Sequence, residues 1–223
     1  VQKLSQALSA EKYSGETADY LFDINPYPYQ QEILDRLKAE RDIRGHFRNL
    51  VVAATGTGKT VISAFDYRRF RSENAGKPCR LLFVAHRKEI LEQSIKCFRG
   101  VLHDPNFGEL FVGEHRPDSL DNLFVSVQTL NSRALTEAVS EDFYDFIIVD
   151  EFHHAAGPTY QQLLNYFKPH ILLGLTATPE RMDGENILLW FDNRIAAEIR
   201  LPEAIDRKLL CPFQYFGISD SVD

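Results

Sequence analysis

A lysine and a threonine that follow two closely spaced glycines, in Ala53-Ala-Thr-Gly-Thr-Gly-Lys-Thr60, are the residues of this chain best suited to hold phosphate. Small residues let backbone N–H groups close around phosphate oxygens. The start of the following helix adds partial positive charge, Lys59 adds a full one, and Thr60 offers a hydroxyl to Mg²⁺. Thr55, Gly56, Thr57, Gly58, Lys59 and Thr60 are therefore the expected contacts to a nucleoside triphosphate. A bare strand-to-helix turn would also use glycines, but it would not demand Lys-Thr after them. The usual first glycine of the pattern is Ala53 here.

A second group, Phe146-Ile-Ile-Val-Asp-Glu-Phe-His153, delivers two carboxylates at the end of an apolar run. An acidic pair in that place is costly unless a cation compensates it. Asp150 is placed to hold Mg²⁺ together with Thr60, and Glu151 to orient and deprotonate the water that attacks the γ-phosphate. Lys59, Asp150 and Glu151 are the expected catalytic residues.

The elements that must position these groups are legible as apolar, β-branched or aromatic runs at 50–53, 80–85, 123–127, 146–149, 171–175 and 197–201. Helical patterns at 29–41, 59–71, 87–98, 160–167 and 202–208 lie before, between and after them. Continuously apolar strands alternating with helices predict an α/β fold: a mostly parallel sheet covered on both faces, in three α/β/α layers. Such a sheet binds its ligand at the C-terminal ends of its strands, where both groups fall. The run Arg68-Arg-Phe-Arg71 reads as a solvent-facing helix end favoured by the helix dipole.

With 223 residues, 44 % of them hydrophobic, the chain has ample material for a large buried core. Its net charge of −7 argues against broad attraction to nucleic acid but leaves room for a local basic strip. No apolar run approaches membrane-spanning length and the N-terminus lacks the apolar centre of a signal peptide, which predicts a cytoplasmic protein without membrane contact. Cys79, Cys97 and Cys211 lack metal-ligand spacing and read as reduced thiols. The only methionine, Met182, and a strand-like run at 213–220 suggest a piece of a longer protein. Residues 1–25 read as a leader or linker, 26–216 as the nucleotide-binding domain, and 217–223 as the start of a connection onward.

The phosphate loop, the Asp-Glu-Phe-His box and Leu175-Thr-Ala-Thr-Pro179 together resemble motifs I, II and III of superfamily 2 helicases, and Asp-Glu-x-His places the resemblance in the DExH branch of the DEAD/DEAH-box group. Tyr29-Gln30 resembles the upstream glutamine motif. The runs Phe83-Val-Ala-His-Arg-Lys-Glu-Ile-Leu91 and Val125-Ser-Val-Gln-Thr-Leu130 resemble motif Ia and the nucleic-acid motif after it. The chain is most similar to helicases related to UvrB and to the motor subunits of type I and type III restriction enzymes.

That resemblance implies a RecA-like ATPase domain that uses ATP and Mg²⁺ to move on or remodel nucleic acid, DNA in preference to RNA. It implies that Gln30 reads adenine, that Tyr27, where relatives often carry arginine, stacks on the base, and that His153 sits near the γ-phosphate. Thr176 and Thr178 become the link between hydrolysis and grip, although Thr178 also suits a helix N-cap. His86, Arg87, Gln128 and Thr129 become nucleic-acid contacts. The family completes its site with an arginine from a second RecA-like domain, here a partner domain missing from the chain. Two other readings stand beside this one: a P-loop kinase acting on a small molecule, against which Glu151 speaks, and a nucleotide-dependent interaction module without catalysis.

Overall fold

The computed structural model describes residues 24–113, 115–132, 135–154, 157–179 and 187–212. In chain order these form α1 (Pro28–Asp42), β1 (Arg48–Ala53), α2 (Lys59–Glu73), β2 (Leu81–Ala85), α3 (Lys88–Leu102), β3 (Glu109–Phe111), β4 (Asn122–Ser126), α4 (Val127–Ser132), α5 (Leu135–Ala138), β5 (Phe146–Val149), α6 (Pro158–Tyr166), β6 (Ile171–Thr176), β7 (Ala197–Ile199) and α7 (Leu201–Asp206). Two 3₁₀ turns, Phe152–His154 and Ile187–Phe191, complete the set.

The strands pair in the order β3-β4-β2-β5-β6-β1-β7, and every pair is parallel. The expected α/β class and central parallel sheet are therefore what the chain forms. Because strand side chains alternate between faces, neighbours such as Val51 and Val52 enter different cores. One core packs Val51, Phe83 and Ile148 under α1, α2 and α3. The other packs Val52, Val84 and Val149 with Phe152, Leu163 and Phe191. Gly174 of β6 lies where an added Cβ would come within 2.4 Å of the Phe191 ring and 2.9 Å of Phe152, so only glycine lets this layer close on the sheet.

A buried charged network sets α1 against α2. Arg41 donates to both carboxylate oxygens of Asp66, at 2.8 and 2.7 Å, and through Nε to Asn49 Oδ1 at 2.7 Å. Asp66 has no solvent exposure, and Arg69 donates to it at 3.0 Å. Such a planar two-point match fixes orientation as well as distance. The run 68–71 is accordingly not uniformly solvent-facing: Phe70 is buried and Arg69 is tied to Asp66, while Arg68 and Arg71 are exposed.

Three placements depart from the sequence expectation, the run at 197–201 among them, since β7 ends at Ile199 and Leu201 already begins α7. The run at 123–127 ends one residue early, because Val127 already begins α4. The short edge strand β3 and the helices α4 and α5 were not anticipated. No helix among the described residues is long and apolar enough to cross a membrane. The strand expected at 213–220, nearly all of the expected leader, the expected connection at 217–223 and the helix start after Pro179 lie outside the described residues.

Candidate functional site

With all pairs parallel, the C-terminal ends of the strands share one edge of the sheet. In the middle of that edge β6 lies between β5 and β1, with Val149 beside Gly174 and Val52 beside Thr176. The phosphate loop leaves β1, the acidic pair leaves β5, and Thr176 ends the strand between them.

The loop is knitted from within. Ala53, fully buried, is an ordinary extended residue at the end of β1, which explains why no glycine is needed there. The Ala54 N–H donates to Ile199 O on β7 at 3.1 Å. Thr57 is buried, and both its N–H and its hydroxyl donate to Ala54 O, at 3.2 and 2.7 Å. Gly56 and Gly58 hold φ of +89° and +75°, the left-handed region that favours glycine. Gly58 is the N-cap of α2, so the first N–H groups of a 15-residue helix open toward the loop. Thr55 and Gly56 are exposed, and Lys59 and Thr60 half-buried. The Lys59 ammonium donates to Ala53 O at 3.1 Å, folded back over the loop. Burial pulls its pKa below the usual lysine value, and the charges of Asp150 and Glu151 oppose that shift.

Asp150 is buried, and its N–H donates to Val84 O at 2.9 Å, which holds the end of β5 to β2. Burial raises its carboxyl above the usual aspartate value, while the Glu151 N–H, donating to Oδ1 at 2.9 Å, and the charge of Lys59 pull it back. The lysine and the acids are thus within electrostatic reach of one another. Glu151 has φ of +51°, a left-handed conformation that a non-glycine residue adopts at a cost of about 1–3 kcal/mol. Its side chain is half-buried at the rim.

His153 follows in the 3₁₀ turn, with Nδ1 3.2 Å from Thr176 Oγ1. That hydroxyl donates its proton to Thr178 O at 2.8 Å and accepts the Thr178 N–H at 3.2 Å. The bond to the ring therefore requires His153 to donate from Nδ1. Thr176 is fully buried and Thr178 exposed. The trio links the end of β5 to the end of β6.

At the start of α1, Gln30 is buried against the loop: its Nε2 donates to Thr57 O at 3.2 Å, and its Oε1 accepts the Tyr27 N–H at 3.0 Å. Tyr27 is exposed, and its ring lies parallel to that of Tyr29. The remaining expected residues occupy the other half of the edge. His86 and Arg87 follow β2, Gln128 and Thr129 follow β4, and the first three are exposed. Thr129 is buried. Its Oγ1 lies 2.8 Å from Ser126 Oγ and accepts the Gly113 N–H at 3.2 Å, while its own N–H donates to Ser126 Oγ at 3.2 Å.

Several residues that shape the site were given no role of their own from sequence. Tyr29 donates its hydroxyl to Thr57 O at 2.8 Å. Ser126 caps α4, and its spacing of three from Thr129 is a signal that was there to be used. Tyr160, in the first turn of α6, is buried with a hydroxyl that has no hydrogen-bond partner among the described residues. Burial, then the charges of Glu151 and Asp150, push its pKa well above the usual tyrosine value.

A family model described as type III restriction enzyme, res subunit, matches residues 23–181. The Type I restriction enzyme EcoAI endonuclease subunit of Escherichia coli is 26 % identical over 226 residues, covering 93 % of this chain and 26 % of that protein. Among solved structures, the Pyrococcus furiosus Hef helicase domain superposes with a TM-score of 0.63 at 20 % identity, covering 81 % of this chain and 39 % of that one. The ATP-dependent Type ISP restriction-modification enzyme LlaBIII bound to DNA gives 0.63 at 17 % identity, over 84 % and 16 %. At those identities the two structures bear on the fold alone. The chain spans at most 32 % of the length of the curated relatives it matches.

Proposed function

The chain belongs to the type III restriction enzyme res-subunit family, and we propose that residues 26–216 are the ATP-binding and hydrolysing RecA-like domain of a DExH motor that unwinds or translocates on nucleic acid, DNA in preference to RNA. The observation that carries this reading is the meeting of Lys59 with Asp150 and Glu151 at strand ends separated only by β6. A positive phosphate cradle facing a metal-binding acid and a candidate base is the equipment for attack by water on a terminal phosphate. The restriction-enzyme family match and the Escherichia coli endonuclease-subunit relative above support the choice of polymer.

In this reading the exposed backbone of Thr55 and Gly56, with Gly58 and Lys59, receives the β- and γ-phosphates. Thr57 holds the loop's shape from inside. The donor set of Thr60 and Asp150, a hydroxyl and a buried carboxylate whose charge is incompletely compensated, fits a hard oxygen-preferring ion, so these two would hold Mg²⁺, which neutralises charge on the triphosphate. Glu151 takes the proton of the attacking water. His153 and Thr176 transmit the state of the acidic end to Thr178 at the surface. His86, Arg87 and Gln128 lie along the β2 and β4 ends as contacts to backbone phosphates, which position a strand without reading it. Thr129 orients the turn beneath them.

A second RecA-like domain supplies the remaining transition-state charge from outside these residues, and the protein works in the cytoplasm. Calorimetric titration with Mg·ATP tests the core of the proposal: Lys59→Ala should lower affinity by about tenfold to a hundredfold, the worth of charge-assisted hydrogen bonds, and leave thermal unfolding unchanged. Equal affinity in the folded variant would remove the assignment.

A further inference from the structure

The outer surface of α1 and α2 carries a groove of about 410 Å³ between the two helices. Leu34 and Phe65, both buried, form an apolar floor, and Lys38, Arg68, Arg69 and Glu73 stand around it. Three cations against one carboxylate is a local reversal in a chain of net charge −7. The cations are not equally engaged. Arg69 donates to Leu34 O at 2.8 Å and to Asp66 at 3.0 Å. Lys38 reaches Glu73 at 3.4 Å and Asp42 at 3.8 Å, exposed pairs that exchange for others at little cost. Arg68 forms no ion pair among the described residues: its Nη1 donates to Val101 O at 3.1 Å, and its guanidinium lies 5.1 Å from the centre of the Phe65 ring.

The chain enters the fold beside this groove. Ile24 packs on the first core, and its Cδ1 lies 2.9 Å from where a Cβ on Gly100 of α3 would be. Arg68 is bonded to the very next residue of α3, so its charge stands where the chain passes toward the start of α1. Immediately before Ile24 the sequence reads Glu16-Thr-Ala-Asp-Tyr-Leu-Phe-Asp23, with three carboxylates, no cation and three consecutive large apolar side chains. An apolar floor with a basic rim matches that composition. A solvated linker does not call for it, since linkers are poor in large apolar residues. The lengths agree as well: Asp19 and Asp23 stand about 13 Å apart in an extended chain, and Gln31 and Lys38 about 10 Å apart along α1.

We propose that residues 16–23 lie in the groove between α1 and α2 as an intramolecular strap, with Asp23 on Arg68, the Tyr20-Leu-Phe22 run over Leu34 and Phe65, and Asp19 toward Lys38. The strap braces from outside the two helices that the Arg41 and Asp66 pair braces from inside. Because α1 presents Gln30 to the phosphate loop and α2 starts from that loop, both braces bear on the same feature. What reads as a leader in the sequence is then part of the domain.

Hydrogen exchange on the intact protein reads the strap directly. The amides of residues 20–23 should exchange slower than those of an unstructured chain by about tenfold or more. Phe22→Ala should return them to the unstructured rate, since burying a phenylalanine ring is worth about tenfold or more in such an equilibrium. Arg68→Glu should cut the protection by about fivefold, and adding Asp23→Arg to it should restore most of the loss, which a role of Arg68 confined to Val101 would not allow. Unstructured exchange at 20–23 in the parent would overturn the inference. So would protection indifferent to both Phe22→Ala and Arg68→Glu, because the segment would then be docked elsewhere. If Arg68→Glu weakened DNA binding and left exchange at 16–23 unchanged, the occupant of the groove would be a phosphate backbone and the strap would fall.

Discussion

The ends of β1 and β5 face each other across a single strand, yet they are built in opposite ways. After β1, polar groups are closed on one another: Thr57 on Ala54, Lys59 on Ala53, and Gln30 and Tyr29 on Thr57. After β5, bonding capacity and strain are left over. Asp150 is buried with a raised carboxyl, Glu151 sits at positive φ, and the nearby Tyr160 hydroxyl has no partner among the described residues. The first end is organised to receive a ligand in one geometry. The second holds its reactive groups in a state that folding alone does not favour, the usual mark of a site whose partners arrive with the substrate.

The largest expected effect tests whether the two ends have separate duties. In the intact protein, Glu151→Gln should retain Mg·ATP binding while single-turnover hydrolysis falls by about 10²–10⁴, because an amide positions water but cannot take its proton. Hydrolysis at the parent rate would mean that the acidic end does not supply the base. Next in size is the scaffold of the orderly end. Arg41→Met should destabilise the fold by about 3 kcal/mol, since it leaves the buried Asp66 carboxylate with only the partial compensation of Arg69. Denaturant unfolding measures this, and a loss under about 1 kcal/mol would show that α1 does not depend on the pair.

How much of this could be read from the chain follows the same division by distance. β1, β2, β5 and β6 are continuous apolar runs, and their parallel pairing followed from the helical patterns between them. Lys59-Thr60 and Asp150-Glu151 are contiguous, so their chemistry shows in a few letters. The contacts that decide what those letters do join residues far apart in sequence: Arg41 with Asp66, and Gln30 with Thr57. Nothing in their local pattern marks such pairs, because burial and docking of separate helices create them. β3 escaped notice for a simpler reason, being three residues long at the sheet edge after Gly108 at positive φ.

A smaller effect sharpens the comparison by removing the charge of the strained end. The raised carboxyl means that the ionised form of Asp150 is disfavoured in the folded protein relative to the unfolded chain. At neutral pH its charge therefore subtracts stability, and that stability returns as pH falls through the folded pKa or when the charge is deleted. Asp150→Asn should raise Tm by roughly 2–4 °C, the equivalent of about 1 kcal/mol in a domain of this size, while Mg·ATP affinity falls. A lowered Tm would show that Lys59 and the Glu151 N–H already compensate the charge.

The smallest effect concerns the unpartnered hydroxyl. Tyr160 packs with Phe152 and Leu163 in the second core, so Tyr160→Phe keeps the ring, the volume and the apolar contacts and deletes only a buried donor that bonds to none of the described residues. Removing an unsatisfied buried polar group relieves a desolvation penalty, and stability should be unchanged or higher by up to about 1 kcal/mol. The opposite end gives the contrast: Tyr29→Phe, which deletes a hydroxyl bonded to Thr57 O, should lose about 1 kcal/mol. Paired thermal melts of the two variants read the difference directly. If Tyr160→Phe destabilised as much as Tyr29→Phe, the acidic end would be as fully bonded as the phosphate loop, and the distinction between the two strand ends would fail.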